Sequence, residues 1–105
     1  MHDCHLLVMV APAELKDDLV DALIGMECVG GFTLGLVEGY SRAHSHFNLR
    51  EQVQGHRAFC RFEVLHAPDD LVRIRGELDR VCGTESVRYW LLPVAGQGHL
   101  GDAKA

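Results

Sequence analysis

Two histidines, His44 and His46, stand two positions apart within "YSRAHSHFNLREQVQG", Tyr40–Gly55. In an extended segment this spacing turns both imidazoles to the same side, where they can share one Zn²⁺ or Cu²⁺. Two ligands do not close a site, so His56, Glu51 or the same residues of other subunits would have to complete it. The opening "MHDCH" offers His2, Cys4 and His5 as a separate, softer set. Solvated loop and terminal histidines would have the same spacing, and both readings stay open. Arg42, Arg50 and Arg57 flank the histidine stretch and suit a phosphate or carboxylate held by forked hydrogen bonds. Exposed charges balancing Glu38 and Glu51 would look the same.

Catalytic patterns are missing: there is no nucleophile elbow, no H-E-x-x-H and no P-loop, and the carboxylates fall on the solvent faces of helices. An enzyme is therefore not expected. The net charge of -5, with histidines counted neutral, provides no field to attract nucleic acid or an anionic membrane. The apolar run Leu6–Ala11 carries no basic leader and is too short for a membrane span or a signal peptide. Four cysteines, Cys4, Cys28, Cys60 and Cys82, form no C-x-x-C pair and are expected as free thiols in a cytoplasmic protein, the last three of them in the core.

The elements that must position these groups follow from hydrophobic period. With 105 residues, 48% hydrophobic and 24% charged, one folded domain is expected. Cys4–Val10 is almost entirely apolar and predicts a strand buried on both faces. Pro12 opens a helix over about Ala13 to Met26, with Leu15, Leu19 and Leu23 as its apolar stripe. After Gly30-Gly31, Phe32–Tyr40 alternates at strand period with small residues on one face. Arg57–Leu65 predicts a third strand, with Ala58, Cys60, Phe62 and Val64 facing the core. Pro68-Asp69-Asp70 starts a second helix whose stripe is Leu71, Ile74, Leu78 and Val81. Ser86–Val94 predicts the last strand, and residues 96–105 a flexible tail. The order β-α-β-β-α-β predicts an α+β, ferredoxin-like domain over residues 1–95, a four-stranded antiparallel sheet with two helices on one face. The other face is left open, which predicts self-association.

"GFTLGLVEGYSR", Gly31–Arg42, is more specific than periodicity. Gly31, Phe32, Thr33, Val37, Gly39, Tyr40 and Arg42 resemble the second strand and loop base of PII signalling proteins, the nitrogen regulatory P-II family. "YWLLPV", Tyr89–Val94, is similar to that family's last strand. The run "LREQVQGHR" and the short loop look like a small PII-related family of uncharacterised proteins encoded beside heavy-metal efflux pumps. Ser41 and Ala43 depart from the PII pattern, and "CGTESVRYW" lacks the family's glycine-rich, lysine-bearing phosphate turn.

The resemblance implies a homotrimeric regulatory protein that binds a small effector, an adenine nucleotide, in the cleft between subunits. It places the cofactor site at Phe32, Thr33, Gly39, Ser41 and Arg42 and implies that the loop 41–54 acts on a partner such as a metal-efflux transporter. The alternative is a Cu/Zn-binding accessory protein that uses His44 and His46. A third reading is a dimeric ferredoxin-like enzyme with a pocket lined by His5, Phe59 and Tyr89.

Overall fold

The computed structural model describes residues 3–40 and 57–101, except for the side chain of Arg57. Strand β1, Cys4–Pro12, leads through a 3-10 turn, Ala13–Leu15, into helix α1, Lys16–Ile24. Strands β2, Phe32–Gly39, and β3, Arg57–His66, follow. A second 3-10 turn, Pro68–Asp70, opens helix α2, Leu71–Cys82, and β4, Arg88–Val94, ends the sheet. The strand order is β2-β3-β1-β4, and every neighbouring pair is antiparallel. This is the ferredoxin-like α+β fold expected from the element order.

Both helices begin more tightly than the sequence pattern predicts. Pro12 sits in extended backbone at the end of β1, and its ring cannot donate to a ladder there, so the first turn closes as 3-10 before the α-helix starts at Lys16. Ala67 is extended before Pro68, as the clash with a proline ring requires, and α2 is likewise delayed to Leu71. At its far end Gly83 takes φ 61°, a left-handed conformation that a side chain disfavours, and its N–H donates to the Asp79 carbonyl.

Residues opposite each other in an antiparallel pair share a face, so the register sorts the sheet into two surfaces. Leu7, Met9 and Ala11 of β1 and Cys60, Phe62 and Val64 of β3 turn toward the helices. There they meet Leu19, Leu23, Met26, Ile74 and Leu78. Phe62 at the centre is fully buried. Cys28, Val81 and Cys82 pack around this cluster, and all four cysteines are free thiols. Pro93 is tolerated inside β4 because that strand pairs on one side only, with β1. Residues 95–101 follow β4 outside any helix or strand and are exposed.

Burial pushes the Cys60 thiol above its ordinary range, and burial followed by the nearby Asp79 and Glu85 carboxylates does the same at Cys82. Such thiols hold their protons more tightly folded than unfolded. Their stabilising contribution is therefore whole below about pH 8.5, the free-cysteine value, and is lost as pH rises through the folded value. Denaturant unfolding at pH 7 and pH 10 is expected to show lower stability at the higher pH, with a smaller loss in Cys60→Ala. Gly76, in mid-α2, has open space where a Cβ would stand. Gly76→Ala is expected to stabilise by about 0.4–1 kcal/mol through lower unfolded-chain entropy, read from the denaturation midpoint.

Candidate functional site

The open face of the sheet carries the densest set of unexplained interactions. Val8 points away from both helices, between Glu63 of β3 and Trp90 of β4 in the register, yet it is fully buried. Its cover is built by side chains of the sheet itself. Arg61 pairs with Glu63 at 3.3 Å and its guanidinium stands 5.8 Å from the centre of the Trp90 ring, spanning β1 from one side to the other. This ion pair is half-exposed, so it orders the surface more than it stabilises the fold.

Toward β2 the same face falls away. Thr33, Gly35 and Val37 are small, and with Leu34, Arg61 and Glu63 they line a recess of about 230 Å³. The floor is backbone and the wall is a cation and a carboxylate, a combination that suits a small polar ligand or a side chain of a neighbouring molecule. At the far end of β2, Phe59 lays its ring directly over Gly39, where any Cβ would collide with ring carbons. Phe59 is buried by this contact although it lies on the helix-free face. Gly39 is thus required by an aromatic ring of its own chain. Just beyond it, the Tyr40 hydroxyl donates to Glu38 at 3.2 Å, which raises the phenol above its usual range.

The residues assigned to a cofactor by resemblance separate along and across this strand. Phe32 turns to the helix side and packs on Phe62, ring centres 6.1 Å apart at 39°. Thr33 and Gly39 share the open face but lie about 20 Å apart at strand rise, so one chain alone does not gather them. Ser41, Arg42, His44 and His46 lie outside the described residues. Among the described residues no three His, Cys, Asp or Glu groups cluster as for a metal ion.

The pocket required by a dimeric enzyme is not assembled from its three residues. His5 and Tyr89 turn to the helix side, where Tyr89 holds the Arg75 guanidinium 5.1 Å from its ring centre, while Phe59 is on the opposite face. Arg61, Glu63 and Trp90 were not singled out by sequence. The signal available for the first two was the polar second face of β3; for Trp90 it was the cross-strand register, which no local pattern contains.

A groove of about 880 Å³ runs on the outside between the helices, lined by Asp18, Asp21, Arg73, Gly76, Glu77 and Arg80 among others. Arg80 donates two hydrogen bonds to Glu77, at 3.0 and 2.8 Å, and this holds the Glu77 carboxyl below its usual range. No helix among the described residues is long and apolar enough to cross a membrane.

Gly39→Ala is expected to destabilise by about 1–3 kcal/mol, because the Phe59 ring must leave its place. In a double-mutant cycle Phe59→Leu should recover part of that loss, a coupling of about 0.5–3 kcal/mol measured by urea unfolding. Independent, additive effects would show that the ring does not set the glycine requirement.

Comparison with known proteins places this geometry. The pattern of the family described as "Protein of unknown function (DUF3240)" matches residues 1–101. A crystal structure of a DUF3240 family protein from Shewanella baltica OS155 is 36% identical, with a TM-score of 0.79 over 95% of this chain and 99% of that one. The periplasmic divalent cation tolerance protein CutA from Archaeoglobus fulgidus shares the fold at 10% identity, with a TM-score of 0.67 over 90% of this chain and 86% of that one. Arabidopsis thaliana PII bound to citrate shares it at 15% identity, with a TM-score of 0.65 over 89% and 78%. No curated protein sequence matches.

Proposed function

The chain belongs to the DUF3240 family, with the fold of the PII-like superfamily, and we propose that it is a homotrimeric regulatory protein that binds a small effector at the cleft between subunits. The observation that carries this reading is the open sheet face. Around the buried Val8 and Phe59, the half-buried Leu6, Val10, Trp90 and Val94 and the exposed Leu65 and Leu92, at 42% and 44%, form a patch that no helix among the described residues covers. Edge strand β2 adds Leu36, 74% exposed, on its other side. Apolar surface of this extent on a small domain finds a partner, and a second copy supplies a matching one.

Assembly also explains why the resembling residues are dispersed within one chain. A cleft between subunits takes the Thr33 end of β2 from one chain and the Gly39 end from another, so the distance between them ceases to matter. The recess at Thr33, Gly35, Arg61 and Glu63 then opens onto a neighbour. Occupancy is transmitted to a partner, a membrane transporter in the reading by resemblance, through residues 41–54, which join the two strands that border the cleft. The effector class to try first is an adenine nucleotide, and the compartment we propose is the cytoplasm. The role we propose is recognition and regulation.

Native mass spectrometry of the full chain, alone and with ATP, ADP and AMP, is expected to show a trimer that takes up nucleotide. Leu92→Glu, which places a charge on the open face, is expected to shift the mass to the monomer without loss of helical circular dichroism. A wild-type chain that stays monomeric at micromolar concentration would overturn the reading. A trimer that ignores all three nucleotides would retain the assembly and remove the effector class.

A further inference from the structure

On the helix side of the sheet, away from the open face, one polar group lacks a partner. His66, the last residue of β3, is 4% exposed and is the one buried polar or charged residue among those described. Its Nδ1 lies 2.8 Å from the Ala67 carbonyl oxygen. A carbonyl can only accept, so Nδ1 carries a proton, and in the neutral imidazole Nε2 then presents a bare lone pair. That Nε2 is buried and has no hydrogen-bond partner. Buried polar atoms are nearly always satisfied, and a buried imidazole could have been replaced by an apolar side chain with little loss.

The neighbour across the ladder is a second histidine. His5 of β1 pairs directly with His66, and the two rings stand 6.1 Å apart at 86°. With metal–nitrogen bonds of about 2.0–2.1 Å and ring nitrogens about 1.1 Å from the ring centre, two imidazoles on one ion have centres no more than about 6.4 Å apart. That bound is the linear limit; at the tetrahedral angle the centres come to about 5.2 Å, so the His5 ring has to move about 1 Å closer than the observed 6.1 Å to share the ion. Nearly perpendicular rings are acceptable to a shared ion, because each nitrogen binds in its own ring plane. His5 is half-buried, so its ring is less confined by packing than that of His66.

We propose that His5 and His66 form a binding site for a late first-row transition-metal cation, Zn²⁺ or Cu²⁺, with His66 Nε2 as the preformed ligand. The Ala67 carbonyl is the outer partner that fixes the His66 tautomer and ring orientation, as outer partners of metal-bound histidines commonly do. Imidazole donors select this class of cation over Ca²⁺ or Mg²⁺, which demand oxygen. No third His, Cys, Asp or Glu joins the pair among the described residues, so these two imidazoles are the protein ligands the site offers. The site is independent of His44 and His46 and of the proposed subunit cleft, and it stands whether or not the chain is a trimer.

The test uses Zn²⁺ alone with the full chain, labelled with ¹⁵N at histidine. On titration the His66 Nε2 resonance is expected to move while His66 Nδ1 stays protonated. By calorimetry, His5→Ala and His66→Gln should each weaken zinc binding about tenfold or more, and the double substitution His44→Ala/His46→Ala should leave this site filled. The proposal is overturned if the His66 ring resonances do not respond to saturating Zn²⁺. It is equally overturned if His66→Gln, shown folded by circular dichroism, binds zinc as the unaltered chain does. Should His66→Gln fail to fold, the nitrogen resonances of the unaltered chain decide the matter.

Discussion

Everything in this molecule depends on β1 being buried on both faces. Leu7 and Met9 enter the helix-side core while Val8 between them is sealed on the other side, so three successive residues are removed from water by two different sets of neighbours. A strand in that position must be paired along both edges, since each of its backbone groups would otherwise lie unsatisfied in an apolar interior. Pairing with β3 on one side and β4 on the other meets that demand, and the rest of the topology follows from bringing those two strands to it. The helices supply one cover. On the other side, among the described residues, Arg61, Glu63 and Trp90 supply a thin cover, with exposed Leu65 and Leu92 beyond it.

The same constraint separates the molecule's two candidate sites. The open face is where surface is left over, with the small side chains of Thr33, Gly35 and Val37 along β2. The helix face is close-packed, and there His66 Nε2 is the buried side-chain polar atom without a partner among the described residues. The four-stranded sheet stands between these two environments, with β1 at their common boundary.

The fold was legible in the sequence because its determinants are local. Alternation in Phe32–Gly39 and Arg57–Leu65, the unbroken apolar run of β1 and the two helical stripes each depend on residues within one segment. The prolines were read correctly as helix openings, but the 3-10 closure of those turns depends on what the ring does to the preceding residue and was not anticipated in detail. The candidate sites were much less legible. Gly39 drew notice as a glycine at a strand end suited to a ligand, whereas its neighbour proves to be Phe59, which belongs to a different strand. His66 lies one residue beyond the strand that periodicity predicts, and its partner across the ladder and its buried nitrogen belong to the three-dimensional structure. The open face was foreseen as a surface, since two helices cannot cover both sides of one sheet. The identities of its central residues required the register.

Gly39 and Arg57 are direct partners across β2 and β3, so the backbone leaves the sheet and returns to it at adjacent points. The intervening residues 40–56 therefore connect ends that are already held together by a formed ladder. For such a loop each doubling of length adds only about 0.6 kcal/mol of closure entropy. The register of the four strands carries no memory of how many residues lie between them. In closure entropy alone, a longer or shorter connection between Gly39 and Arg57 changes the stability of the sheet little.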